Sequence, residues 1–363
     1  MPAVYIFESI NPLPKTNNPF MKPALLFVSL LLAVSSADLH AQDFDNSLSY
    51  MTHISTQHLN ISKKFLAYAS ASAHGKKDKK VEVLRNKLLD EVQEAKMNIQ
   101  SMPSFKTDKT YRDTAVTFMK LYYNVLNEDY SKIVNMEEVA EQSYDAMEAY
   151  MLAKEMAELK LDEANERLRM AEKRFAAANN ITLQEGSSAT STMMEQFSQI
   201  TKYHNEVYLI FFKPYKQEVY LMEAVEKGNI TGIEQNKNAL LKYAQEGLAK
   251  LAGMKPFKND ASLVNSCKKM MEFYIKEADK VNISSNFFLT KERFDGIKKD
   301  FDKKSNTTKE DVNAYNKAVS DVNKSTDEYN KNNNLLNGWR KDALNSWNET
   351  SDQFYDTHSP HYK

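Results

Sequence analysis

Seven histidines and one cysteine are the residues of this chain best suited to metal or nucleophilic chemistry. The histidines are His40, His53, His58, His74, His204, His358 and His361, and no two of them form an HExxH pair. Cys267 stands alone, so a thiolate pair for zinc is absent. His53 and His58 lie five positions apart and share no helix face. His358-Ser-Pro-His361 could hold a metal loosely, but it reads more simply as a polar tail. Lys268 and Lys269 beside Cys267 would favour a thiolate. A lone cysteine in a helical stretch is nevertheless more often a small core residue. There is no GxSxG, GxGxxG or Walker loop, which removes the nucleophile elbow and the usual phosphate cradles. Glu137 and Glu141 are spaced like half of a carboxylate metal site, yet the Glu-x-x-His of ferritin-like centres is missing. Glu138, Asp145, Glu148, Glu155 and Glu158 continue the same run, so a solvated helix face is the better account. No catalytic, metal-binding or cofactor-binding residue is assigned, and the expectation is a protein that is not an enzyme.

Aromatic residues are unusually dense in KLYYNVLNEDY and YHNEVYLIFFKPYKQEVYL. Tyrosine and phenylalanine at helical spacing most often form core with a wet rim. Around Pro214 the set Tyr208, Phe211, Phe212 and Tyr215 is the candidate ligand or partner groove. A cavity beside these rings would favour a carrier for a small apolar or aromatic ligand.

The elements that must position these residues are helices. Only 8 glycines and 9 prolines occur in 363 residues, and Ala, Lys, Glu, Asn, Leu and Met abound. Met51, Ile54, His58, Ile61, Phe65 and Tyr68 follow a 3-4 spacing, which predicts a helix over 46–73 packed along another helix. Val81, Leu84, Leu88, Val92, Ala95 and Ile99 predict a second over 79–100, ended at Met102-Pro103. A third starts near Asp108 and carries Tyr111, Ala115, Phe118, Tyr122 and Val125. Residues 137–178 lack glycine and proline and predict one long helix lined by Met147, Met151, Leu159, Leu168 and Phe175. After a connection at 178–188, a helix runs to about Lys227 with a kink at Pro214. Thr231 and Glu234 have the spacing of a capping box for the next helix. Leu263, Val264, Met271, Tyr274 and Ala278 mark another, and a short helix is expected over 291–303. Thr307-Thr308-Lys309-Glu310 then caps a long C-terminal helix whose seam is Val312, Tyr315, Val319 and Val322, anchored at its end by Trp339, Leu344, Trp347 and Phe354.

LLDEVQEAKMNIQSMPSFKTD aligns with LLKYAQEGLAKLAGMKPFKND at an offset of 152, pairing Leu88 with Leu240, Phe105 with Phe257 and Asp108 with Asp260. A duplicated helical hairpin unit is expected. The fold class read from these patterns is all-α, an elongated multi-helix bundle with long coiled-coil-like helices. Its parts are a leader and signal peptide (1–41), a first helical repeat with a long central helix (42–180), a second helical repeat (189–303) and a long C-terminal helix packed along the bundle (307–363).

Met21 to Asp43 reads as an export signal with Met21 as the true start: Lys22 is the positive n-region and Ala24–Val34 the short apolar core. Cleavage is expected after Ala37 or Ala41, and no cysteine stands there for a lipid anchor. No later segment is apolar enough to span a membrane. A formal net charge of -1 argues against a nucleic-acid partner. The expected location is periplasmic, cell-surface or secreted, not that of a lipoprotein.

KLYYNVLNEDYSKIVNMEEVAEQSYD, NEVYLIFFKPYKQEVYL, EQNKNALLKYAQEGLAKL and LLNGWRKDALNSWNETSDQFYDTH carry a resemblance. In them the chain resembles an uncharacterised exported helical surface-protein family of Gram-negative bacteria, over most of its length after the export segment. The resemblance implies export and a helical body and brings no catalytic residues. The expectation is an exported, non-catalytic envelope or surface protein acting through binding, with an envelope protein or a small ligand as partner. The C-terminal seam at Val312–Val322 also allows a homodimer.

Overall fold

The computed structural model describes residues 44–75, 78–129, 143–183 and 188–362. The leader and export segment, Lys76 and Lys77, Tyr130, the Glu137–Glu141 pair and part of the expected connection near Gly186 lie outside the described residues. Among the described residues the protein is an all-α multi-helix bundle with no strand. Its helices are α1 (Ser47–Ala73), α2 (Asp78–Gln100), α3 (Thr110–Asn124), α4 (Tyr144–Ala178), α5 (Ala189–Glu226), α6 (Ile230–Gly253), α7 (Ser262–Lys280), α8 (Asn282–Asp302) and α9 (Lys309–His358). One π-helical turn, Val125–Asp129, follows α3. The chain divides into two compact units whose boundaries, after Asn205 and after Asp352, fall inside α5 and α9.

In the first unit α1 packs on α2, α2 on α3 and α3 on α4. The α1 stripe Met51, Ile54, Ile61, Phe65 and Tyr68 is buried, as are Leu88, Val92, Ala95 and Ile99 of α2. Phe175 of α4 gathers the unit. Its ring lies 5.4 Å from Tyr50, 5.2 Å from Phe105 and 5.3 Å from Tyr111, so one side chain meets α1, the α2–α3 turn and α3. The buried face of α4 alternates Ala157, Leu161, Ala164, Leu168, Ala171 and Phe175. Leu159, expected in that seam, is instead 49% exposed. Two 3-4 stripes run along α4, and the alanine-bearing stripe faces inward because its small side chains allow close helix approach.

In the second unit α6 packs on α7, and α8 reaches both. Gly247 lies close against α7: a Cβ there would come within 2.6 Å of Met271 Sδ, so the methionine side chain would have to shift. The N-cap of α6 is Asn229, whose side chain accepts from the Gly232 amide at 3.0 Å. The expected Thr231–Glu234 capping box does not form: Glu234 is taken by Lys237 at 2.5 Å and by the Ser285 hydroxyl at 3.0 Å. At the start of α9 the reciprocal pair sits one residue later than expected. The Asp311 amide donates to Thr308 Oγ1 at 3.1 Å, and the Thr308 amide to Asp311 Oδ2 at 3.0 Å. α8 begins at Asn282, nine positions before the expected 291. Phe287 stacks on Tyr329 of α9 at 4.4 Å, and this burial outweighs the weak helix propensity of Asn282, Ser284 and Ser285. One residue of the α9 seam, Tyr315, stacks on Phe301 of α8 at 4.7 Å, whereas Val312 is 39% exposed. Trp347 and Phe354 are buried as expected for anchors, whereas Trp339 is 37% exposed.

The two turns 152 positions apart have the same build. Phe105 and Asp108 exchange backbone hydrogen bonds of 3.0 and 2.8 Å, and Phe257 and Asp260 do so at the same two distances. Both central residues of each turn have positive φ, as a type I′ turn requires: Lys106 (52°) and Thr107 (106°), Lys258 (48°) and Asn259 (69°). Asp108 then accepts from the Thr110 amide at 2.8 Å, and Asp260 from the Ser262 amide at 2.7 Å, opening the next helix in each case. A β-branched residue is strained at positive φ. Thr107→Gly should therefore raise stability by about 1 kcal/mol, and Asn259→Gly by less, because asparagine tolerates this region. Denaturant midpoints at unchanged slope would measure both.

Candidate functional site

Among the described residues the strongest concentration of buried charge lies where α5, α7 and α9 of the second unit meet. Helical spacing puts Tyr215 and Glu218 on one face of α5, and Tyr274 and Glu277 on one face of α7. Arg340 of α9 reaches both carboxylates. Its Nε donates to Glu218 Oε1 at 2.5 Å, one Nη donates to Glu277 Oε1, and the other to Asn337 Oδ1 at 2.5 Å. The Met222 sulfur stands 3.1 Å from the guanidinium. Glu277 is fully buried and Glu218 is 3% exposed.

Two carboxylates share one guanidinium here, so full ionisation would leave an uncompensated negative charge in the core. Burial, and then the nearby Glu218 carboxylate, push the Glu277 carboxyl well above the usual carboxylate range against the pull of Arg340. Burial likewise raises the Tyr274 phenol, with Glu218 and Glu277 adding to it. Among the described residues Glu277 Oε2 and Tyr274 Oη are buried without a hydrogen-bond partner. The arrangement favours the protonated form of Glu277 and ties three helices together.

The four expected groove residues sit on the same α5. Tyr208, Phe211, Phe212 and Tyr215 are buried to between 2% and 8% exposure. Phe211 stacks on Trp347 at 4.5 Å and on Tyr215 at 5.4 Å, and Tyr208 stacks on Phe212 at 5.5 Å. The rings are packed against one another and against α9. Cys267 is also buried, its sulfur 3.8 Å from the Val207 carbonyl oxygen, and burial pushes its thiol up.

The histidines part company. His58 lies in the core of the first unit, where burial lowers it to about 4. The terminal residues dock on α1, a departure from the expected polar tail. His361 stacks on His74 at 3.7 Å, His74 Nδ1 lies 2.7 Å from Asp356 Oδ1, and the Tyr362 amide donates to Ser70 Oγ at 3.0 Å. Among the described residues no three potential ligands are grouped to hold a metal ion. A further carboxyl in this unit, Glu172, is raised to about 7 by burial, against a lowering hydrogen bond with Ser55.

Arg340, Glu218 and Glu277 were not singled out by motif reading. The only local signal is the repeated Tyr-x-x-Glu at 215–218 and 274–277. No protein-family model matches the chain, and no curated protein or solved structure matches it.

Arg340→Met should cost about 3–5 kcal/mol, because it leaves the buried Glu218–Glu277 pair without its counter-charge. A carboxyl raised in the folded state stabilises fully below its unfolded value, and that contribution is lost as pH rises through the folded value. Glu172, at about 7 when folded, should make stability fall from weakly acidic to neutral pH, and Glu172→Gln should flatten that fall. Glu277→Gln should likewise remove a loss of stability that sets in as pH rises past the unfolded carboxylate value. Urea unfolding at a series of pH values measures both slopes.

Proposed function

We propose that this protein is an exported, non-catalytic helical envelope or surface protein, built by duplication of a helical hairpin unit and acting through binding. The observation that carries the reading is the pair of matching turns, Phe105–Asp108 and Phe257–Asp260. Each keeps two exposed non-glycine residues in the positive-φ region, at a conformational cost. Each presents an exposed lysine, Lys106 or Lys258, beside the ring of the preceding phenylalanine. A strained surface feature that occurs twice with an exposed lysine supports a recognition role beside the corner that each turn makes. The Met21–Asp43 export pattern and the resemblance to exported surface proteins point the same way. No described helix is long and apolar enough to cross a membrane.

The test is native mass spectrometry of the chain purified from its producing cells, with its N-terminus read at the same time. The expected outcome is a chain beginning after Ala37 or Ala41, in complex with an envelope protein. The double variant Lys106→Glu, Lys258→Glu should lose that complex while keeping its helical circular dichroism. A complex unchanged in the double variant overturns the role of the turns, and an uncleaved chain in the cytoplasm overturns export. A reproducible small-molecule mass on the folded chain would replace this reading with the carrier, whose ligand would have to part the Tyr208–Phe211–Phe212–Tyr215 stack.

A further inference from the structure

The outer face of α4 carries a second seam that the fold leaves uncovered among the described residues. Leu152, Met156 and Leu159 are 57%, 48% and 49% exposed, although they follow the 3-4 spacing by which one helix packs along another. With Leu152 and Leu159 at the d positions and Met156 at a, the flanking positions are fixed. Glu155 and Asp162 fall at g, and Lys160 and Arg167 fall at e. One flank is acidic and the other basic. None of these four side chains makes an ion pair within the described part of the chain.

We propose that α4 is a self-association surface, on which a second copy of this chain docks its own α4 in parallel. In a parallel pair each g residue faces the e residue five positions further along the other helix. Glu155 then meets Lys160 of the second copy, Asp162 meets Arg167, and the two-fold axis repeats both contacts. In an antiparallel pair g faces g and e faces e, which would set acid against acid and base against base. The charge pattern thus selects both the partner and its direction. The seam is short. Glu163 and Glu166 occupy the next a and d positions, and Glu166 is turned to Arg169 of its own helix at 2.7 Å. Three apolar side chains per copy fall well short of the roughly 1,200 Å² of a stable interface, so the pair is weak and depends on concentration. This surface is separate from the two turns of the proposed function.

Sedimentation velocity of the chain purified from its producing cells, from about 10 µM to about 1 mM, reads the equilibrium. A monomer–dimer shift across that range is expected. Lys160→Glu places like charges across the seam and should weaken the dimer by about tenfold. Adding Glu155→Lys should restore it to within about twofold of the original, a rescue that only the parallel arrangement provides. Both positions are exposed, and circular dichroism checks that each variant is folded. A chain that stays monomeric throughout, a Lys160→Glu variant that dimerises as before, or a double variant as weak as the single one would each overturn the proposal.

Discussion

A chain with eight glycines can reverse direction in few places, and where it reverses decides which helix faces meet. Gly75 and Gly228, both at φ 61°, close α1 and α5 in the left-handed conformation that glycine adopts freely. At the α2–α3 and α6–α7 corners no glycine is present, and the chain forces lysine, threonine and asparagine into positive φ instead. Once these corners are fixed, each helix turns one stripe to its neighbour. The bundle follows from burying that stripe, since isolated helices of this composition gain most of their stability from tertiary contact.

The second unit adds a constraint of another kind. Arg340 sits 122 positions from Glu218 and 63 from Glu277, so the contact spans three helices far apart in the chain. An apolar seam tolerates sliding by a turn. A guanidinium held by two carboxylates and by Asn337 does not, because any slip would leave a charge buried without its partner. The aromatic stack of Phe211 on Trp347 lies seven positions from both members of the Arg340–Glu218 pair, at the same α5–α9 contact. Packing supplies bulk stability there, and the charged centre supplies register.

Local pattern made much of this legible and long-range chemistry little of it. The α1 seam and the α2 seam could be read residue by residue, because a single apolar stripe admits one orientation. On α4 the reading failed at Leu159, since two stripes compete and sequence does not say which one the rest of the chain will cover. The α8 start was placed late because Asn282, Ser284 and Ser285 look like a turn, and only the distant Tyr329 makes them helical. The FKTD and FKND turns showed through their likeness to each other, although neither has the glycine that normally marks a type I′ turn. The Arg340 centre had no local signal beyond two Tyr-x-x-Glu spacings, and a pair of tetrads does not name the arginine between them.

The docked terminus has a consequence for the order in which the molecule can be made. Ser70 and His74, in the first helix and just after it, take their partners from Tyr362 and His361, which are 292 and 287 positions further on. Phe354 and Tyr355 join the same unit and are each 1% exposed. The first unit therefore cannot close until residues far beyond its own helices α1 to α4 have been made, however quickly those helices form. Those closing residues are synthesised long after α1, and until they arrive the end of α1 stays open to water, chaperones and proteases.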